Sequence, residues 1–312
     1  MKRIQYHRYG GPEELLLEEF NTGQPGPNQI LVAIRAASVN PVDWKVRSGK
    51  LRLITGRHFP RAMGCDFAGV VEAVGLGVTR FKAGDAVLGS MDVRNGGAFA
   101  EKLVAPEDRT VLKPPGLSFE QAASLPIVCA TAWCGLVDKA RLKAGQSVFV
   151  HGCLGGVGRA AVQTALMLGA EVAGSCRGST VEEARALGVT PVFDYRGLDT
   201  AALKNRFDVV FDTAGTLALR GGALMLKPGG VVLEINPSMI NLLGILLSPR
   251  HKLVFANPSL DVLTKIADAA AAGKLVQPIG ATVPLAVAIP ALAELERSGV
   301  PKGKLVIVMG GQ

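Results

Sequence analysis

The sequence predicts an α/β protein in which a doubly wound parallel sheet is joined to a β-rich region, and three observations carry that expectation. Up to about residue 118 the chain reads as short alternating runs between glycine turns. From Ser147 onward apolar strands alternate with helical segments, the pattern of a parallel sheet covered on both faces. Glycine is common, 38 of 312 residues, without the period of collagen, so it serves turns and close backbone approaches.

The first strand signals are the alternation in 29–39, the run 64–75 and the segments 84–89 and 97–104. Pro114-Pro115-Gly116 breaks this pattern, and a helical period follows over 118–136, which places a boundary near residue 120. The parallel strands are expected at 147–151, 171–175, 191–194, 207–212 and 230–235, and helices at 260–272 and 286–298 precede a last strand at 304–309.

Composition narrows the function classes. Hydrophobic residues make up 48% and charged residues 19%, which excludes a disordered chain, and 5% aromatic residues disfavour a stacking nucleic-acid binder. The net charge of +8 biases the surface toward anionic partners such as phosphates or acidic small molecules. Cys65, Cys129, Cys134, Cys153 and Cys176 form no C-x-x-C pair, so a reducing, cytoplasmic setting is expected, and the apolar run 239–247 is too short for membrane insertion.

The chemistry-bearing motif is Val148-Phe-Val-His-Gly-Cys-Leu-Gly-Gly-Val-Gly158, a strand running into a glycine turn and a helix. Gly155, Gly156 and Val157 would present backbone amides to a pyrophosphate at a helix N-terminus, and Gly158 would let helix and strand pack tightly. Where an NAD site places an acid after the second strand, the chain has Ser175-Cys176-Arg177. A hydroxyl and a guanidinium there suit a 2′-phosphate, so NADPH is the expected coenzyme, with Tyr195 a candidate to cover the adenosine.

Asn40-Pro-Val-Asp-Trp-Lys-Val-Arg-Ser-Gly49, the glycine series 64–89, Leu125-Pro-Ile-Val-Cys-Ala-Thr-Ala-Trp133 and Gly155-Gly-Val-Gly158 together resemble the zinc-free branch of the medium-chain dehydrogenase/reductase superfamily, its quinone oxidoreductases and enone or alkenal reductases. The resemblance implies a GroES-like catalytic domain of residues 1–120 plus 259–312, with a Rossmann-type NADPH-binding domain, 121–258, inserted in it. It also implies a homodimer paired through nucleotide-domain edge strands, with the apolar segment 231–247 compatible. Thr131 would then lie near the nicotinamide ribose, and Ala214, Gly215 and Asn236, ending later strands, would line its pocket.

At the three segments where zinc-dependent relatives carry ligands, this chain has Asn40 and Asp43 in the first, Cys65 in the second and Ile127 in the third; one thiol cannot make a tetrahedral site, so no metal is expected. The resemblance then implies hydride transfer to a quinone or enone, where charge spreads over an enolate or phenolate and hydrogen-bond donors suffice. Asn40 and Lys45 are the candidate catalytic donors, and Asp43 either orients Lys45 or caps the short helix after Asn40. Asn40-Pro41 suits a helix N-cap equally well. The basic loop 50–61 is expected to form a rim favouring acidic acceptors through Arg57 and Arg61. The rivals are a zinc-type alcohol dehydrogenase relative and a nucleotide-binding protein without turnover.

Overall fold

The computed structural model describes residues 1–235, 244–245, 247–256, 258–299 and 302–310. The chain divides into two compact units, Met1–Ile127 with Pro258–Gln312, and Val128–Asn257.

In the first unit, strands Ile279–Pro284, Lys304–Val308, Gln29–Ser38, Asp66–Val74, Ala86–Ser90 and Thr110–Leu112 form one sheet in that order, and Lys102–Pro106 pairs beside Gln29–Ser38. Gln29–Ser38 follows strict alternation only at its start, where Ile30, Val32 and Ile34 face the core. By Ala36, Ala37 and Ser38 both faces are covered, so small residues replace the polar face. Bulges in its pairing with Asp66–Val74 bend the ladder there. A smaller sheet of Leu16–Glu19, Lys2–Tyr6 and Arg61–Ala62 completes the β structure. The helix Leu260–Ala271 turns Val262, Leu263, Ile266, Ala267 and Ala270 inward at helical spacing.

The second unit carries a six-stranded parallel sheet, ordered Val192–Asp194, Glu171–Cys176, Ser147–His151, Phe207–Asp212, Leu226–Glu234 and His251–Leu253. The order steps outward from Ser147–His151 in both directions, so the chain reverses its winding beside that strand, which is where such sheets accept ligands. Phe149 packs against Phe193 and Phe207, and with Val210, Met225 and Val232 it fills one face. The fold class is therefore the one the sequence predicts, α/β with a doubly wound parallel sheet and a separate β-rich unit.

The expected continuous helix over 118–136 is interrupted. Phe119–Ala123 stops at Ser124, and Pro126 begins Pro126–Trp133 because proline is accommodated in a first helical turn and not in a helix interior. A wider π turn, Cys134–Lys139, follows.

Candidate active site

The glycine turn of the second unit is bolted from several sides. The amides of Gly152 and Cys153 both donate to Ser175 O at 3.0 Å, and Gly155 N closes on Gly152 O at 3.0 Å. Thr213 Oγ1 donates to His151 O at 2.7 Å and to Gly152 O at 3.2 Å. Gly152 has φ +79°, a conformation that costs a residue without Cβ nothing. A Cβ on Gly158 would lie 2.1 Å from Gly152 O, so helix Gly156–Met167 reaches the turn only because this position is bare. Gly155 is exposed and Gly156 and Val157 are half-buried at the helix start. A turn this tight at a helix N-terminus, with its dipole end toward the glycines, fits a dinucleotide pyrophosphate.

Behind the turn, His151 is buried, with Nδ1 2.7 Å from Ser175 Oγ and Nε2 2.8 Å from Thr216 Oγ1. Burial lowers its pKa, against an opposing effect of Asp212, so its neutral form joins the two hydroxyls. Asp212 is fully buried and organises the next loop: Oδ1 accepts from Ala214 N at 3.0 Å and Gly215 N at 2.7 Å, and Oδ2 from Leu217 N at 2.9 Å. The amides of Ala214 and Gly215 are therefore already committed to Asp212.

Ser175 differs from expectation. Its side chain is 0% exposed inside the strand Glu171–Cys176 and holds His151, so it is not presented to a ligand. The strand runs one residue further than the sequence pattern implied, and that leaves Arg177 as the first exposed residue beyond it. Tyr195 is 40% exposed, with the Arg196 guanidinium 5.9 Å over its ring. Thr131 is buried in the helix Pro126–Trp133. Asn236 lies outside the described residues.

In the first unit Asn40 is 1% exposed and bridges two charged groups. Its Oδ1 accepts from Lys304 Nζ at 2.5 Å, and its Nδ2 donates to Asp66 Oδ2 at 2.9 Å, with Ser38 O further off at 3.4 Å. Lys304 Nζ also donates to Val39 O at 2.8 Å, and the Ile127 amide donates to both Asp66 oxygens at 3.2 Å. Asp43 takes the capping role: its Oδ2 accepts from Asn40 N at 2.7 Å at the start of helix Pro41–Arg47, while Pro41 holds the first helical position. Lys45 projects from that helix half-buried, its pKa lowered by burial and then by Lys50. Asp66 and Lys304 were not expected from the sequence. The signal available was a charged residue at the head of a strand that continues in apolar residues, in residues 66–71 of Asp66–Val74 and in Lys304–Val308.

Burial pushes Asp43 up to about 7 and Asp66 up to about 6, against the ordinary 3.8, and the nearby Lys304 partly restrains both. Each carboxyl ionises earlier in the unfolded chain than in the folded one. Their contribution to stability is therefore complete below pH 3.8 and is lost as pH rises toward 7. Asp43→Asn keeps an acceptor for Asn40 N and removes one titration. It should flatten the fall in unfolding free energy between pH 5 and 8, by on the order of a few kcal/mol at the upper end. Parallel pH slopes for variant and wild type in calorimetry would contradict this.

Arg61 corrects the expected basic rim. It is buried and donates from Nη1 to Thr55 O at 2.6 Å and from Nη2 to Arg94 O at 2.7 Å, so it pins a loop and is not available to an acceptor. Arg57 is exposed.

Residues 26–115 match the alcohol dehydrogenase GroES-like domain model and residues 187–307 a zinc-binding dehydrogenase model. The chain is 34% identical over 247 residues to the chloroplastic quinone-oxidoreductase homolog of Spinacia oleracea, covering 76% of this chain and 75% of that one. It is 36% identical over 248 residues to the chloroplast envelope quinone oxidoreductase homolog of Arabidopsis thaliana, with the same coverage. Its structure superposes on the quinone oxidoreductase from Coxiella burnetii with a TM-score of 0.88, 29% identity and 99% of both chains covered. The chain belongs to the medium-chain dehydrogenase/reductase superfamily. It is an oxidoreductase of that superfamily, with a pyridine-nucleotide fold and quinone oxidoreductases among its relatives.

Within this superfamily the zinc positions deserve a direct test, because the second family model carries zinc in its description. The residues do not fit the metal. Asn40 is already bound to an ammonium, Ile127 offers only its backbone, and burial raises the Cys65 thiol well above its usual range, with Asp43 and Asp66 adding to the effect. A dication would also meet the charge of Lys304. Among the described residues, no group of three or more His, Cys, Asp and Glu side chains could hold a metal ion.

Proposed function

We propose that this superfamily member is an NADPH-dependent reductase of quinones or activated alkenes that works without a metal. The observation that carries the coenzyme choice is Arg177: it is the exposed residue that follows the second parallel strand, where an NAD site needs a carboxylate. The 2′-phosphate falls to Arg177 alone, Ser175 being turned inward. The quinone acceptor is supported by the names of the relatives, and the enone by the same delocalisation of charge.

The bound coenzyme supplies a hydride. The chain supplies position and charge: the turn 152–158 binds the pyrophosphate, and Thr131, Tyr195, Ala214 and Gly215 are the remaining coenzyme contacts, with Asn236 outside the described residues. Lys45 is the proposed donor to the developing oxyanion, its lowered pKa making its proton easier to release. Asn40 and Asp43 fix the start of the helix that carries Lys45, so their part is positioning. A homodimer in the cytoplasm is proposed; of the segment 231–247, residues 232–234 are paired on both sides, by Phe207–Asp212 and His251–Leu253, so the sheet edge offered for pairing on that side among the described residues is His251–Leu253.

Arg177→Ala should raise KM for NADPH about ten- to a hundredfold, the worth of a charge-assisted hydrogen bond, and leave NADH nearly unchanged. The check is steady-state oxidation of both coenzymes over a panel of quinones and enones. Equal KM values for NADPH before and after the substitution would remove the coenzyme assignment, and binding without oxidation by any acceptor would favour a non-catalytic nucleotide-binding protein.

A further inference from the structure

We propose that residues 50–58 dock the protein on an anionic membrane surface. Residues 44–65 contain Lys45, Arg47, Lys50, Arg52, Arg57 and Arg61 and no aspartate or glutamate. Two of these cations are committed internally: Arg47 is buried with Nη2 2.5 Å from Glu296 Oε2, and Arg61 is the loop anchor described above. Lys50, Arg52 and Arg57 are exposed.

At the tip of this basic segment, helix Arg52–Thr55 holds Leu53 97% exposed and Ile54 51% exposed. A scattered exposed leucine is ordinary, but here two adjacent large aliphatic side chains stand outward on a backbone held in place behind them. Thr55 N and Oγ1 both donate to Leu51 O, at 3.0 and 3.1 Å. Arg61 grips Thr55 O, Tyr9 Oη donates to Gly56 O, and Tyr9 packs edge-on against Phe59 at 5.1 Å. The apolar pair is therefore presented by a braced platform.

Charge complementarity selects the occupant. Lys50 and Arg52 precede Leu53 and Ile54 in the chain and Arg57 follows them, so exposed cations flank the apolar pair on both sides in sequence. The interfacial zone of a bilayer can envelop a protruding aliphatic pair without a preformed pocket, while anionic headgroups meet the flanking cations. No helix among the described residues is long and apolar enough to cross a membrane, so the contact is peripheral. Each of the three cations contributes about fivefold in affinity at an anionic surface, which makes the attachment reversible and salt-sensitive. The overall charge of +8 acts in the same direction.

The test is co-sedimentation of the full chain with phosphatidylcholine vesicles, with and without phosphatidylserine as about a third of the lipid. Binding is expected only to the anionic vesicles, falling with salt. Leu53→Asp should weaken it at least fivefold, and Arg52→Glu with Arg57→Glu should abolish it; these exposed sites leave the melting temperature as a folding control. Leu53→Trp should blue-shift its emission on adding anionic vesicles, against the background of Trp44 and Trp133. Binding indifferent to phosphatidylserine, a Leu53→Asp variant that sediments like wild type, or an unshifted tryptophan would overturn the proposal. So would a loop whose substitution changes only KM for acidic acceptors, with no vesicle binding. The readout is independent of the reaction, so its failure leaves the reductase reading untouched.

Discussion

Lys304→Met should destabilise the protein by about 3–5 kcal/mol at pH 8 and by much less at pH 5. Lys304 is 7% exposed, and its ammonium bonds Asn40 Oδ1 and Val39 O while it holds down the pKa values of Asp66 and Asp43. With Lys304 present, the carboxyls near 6 and 7 are ionised at pH 8 beside a cation. Methionine fills the volume but leaves those buried charges uncompensated, so the carboxyls must bind protons from a dilute supply. At pH 5 both are already protonated in the folded protein, and the substitution removes a buried ammonium that itself costs free energy to desolvate. Calorimetric unfolding at the two pH values measures the difference. Equal losses at pH 5 and pH 8 would show that the cation is not coupled to the two carboxyls.

Gly158→Ala should cost about 1–3 kcal/mol and weaken coenzyme binding at least tenfold. The added methyl would stand 2.1 Å from Gly152 O and 3.0 Å from Cys153 Cα, backbone atoms that cannot rotate aside. The helix must therefore lift from the turn, and the amides proposed to meet the phosphates shift with it. Gly155→Ala supplies the contrast. Its Cβ would meet only Gly152 O, at 3.4 Å, so the fold tolerates it and only the approach of the ligand suffers. Melting curves and fluorescence titration with NADPH separate the two effects. A Gly158→Ala protein with wild-type affinity would contradict the close-packing argument.

Periodicity made much of the fold legible. The strands Ser147–His151 and Phe207–Asp212 and the helix Leu260–Ala271 all stand within a residue of the sequence expectation, because strong apolar patterns bounded by glycine or capping residues leave few alternatives. The interruption at Pro126 was legible in principle, since the proline itself marks a helix start. The site was legible in part. The turn 152–158 announced itself through its glycines, and Asp43 as a cap followed from its spacing to Asn40. Ser175 and Arg61 did not show their burial, because side-chain direction near a strand end depends on how far the ladder continues and on what packs over it.

Local chemistry along the chain determined the alternation of strands and helices, the glycine turn and the lack of a carboxylate before Arg177, since each is a property of neighbouring residues. Only the folded chain could bring Lys304 to Asn40, 264 positions away, and Asp66 to the Ile127 amide, 61 positions away. Charges so far apart in sequence carry no mutual signal. They become one buried network because strand pairing sets Lys304–Val308 and Asp66–Val74 on either side of Gln29–Ser38, where exclusion of water requires each polar group to find a partner.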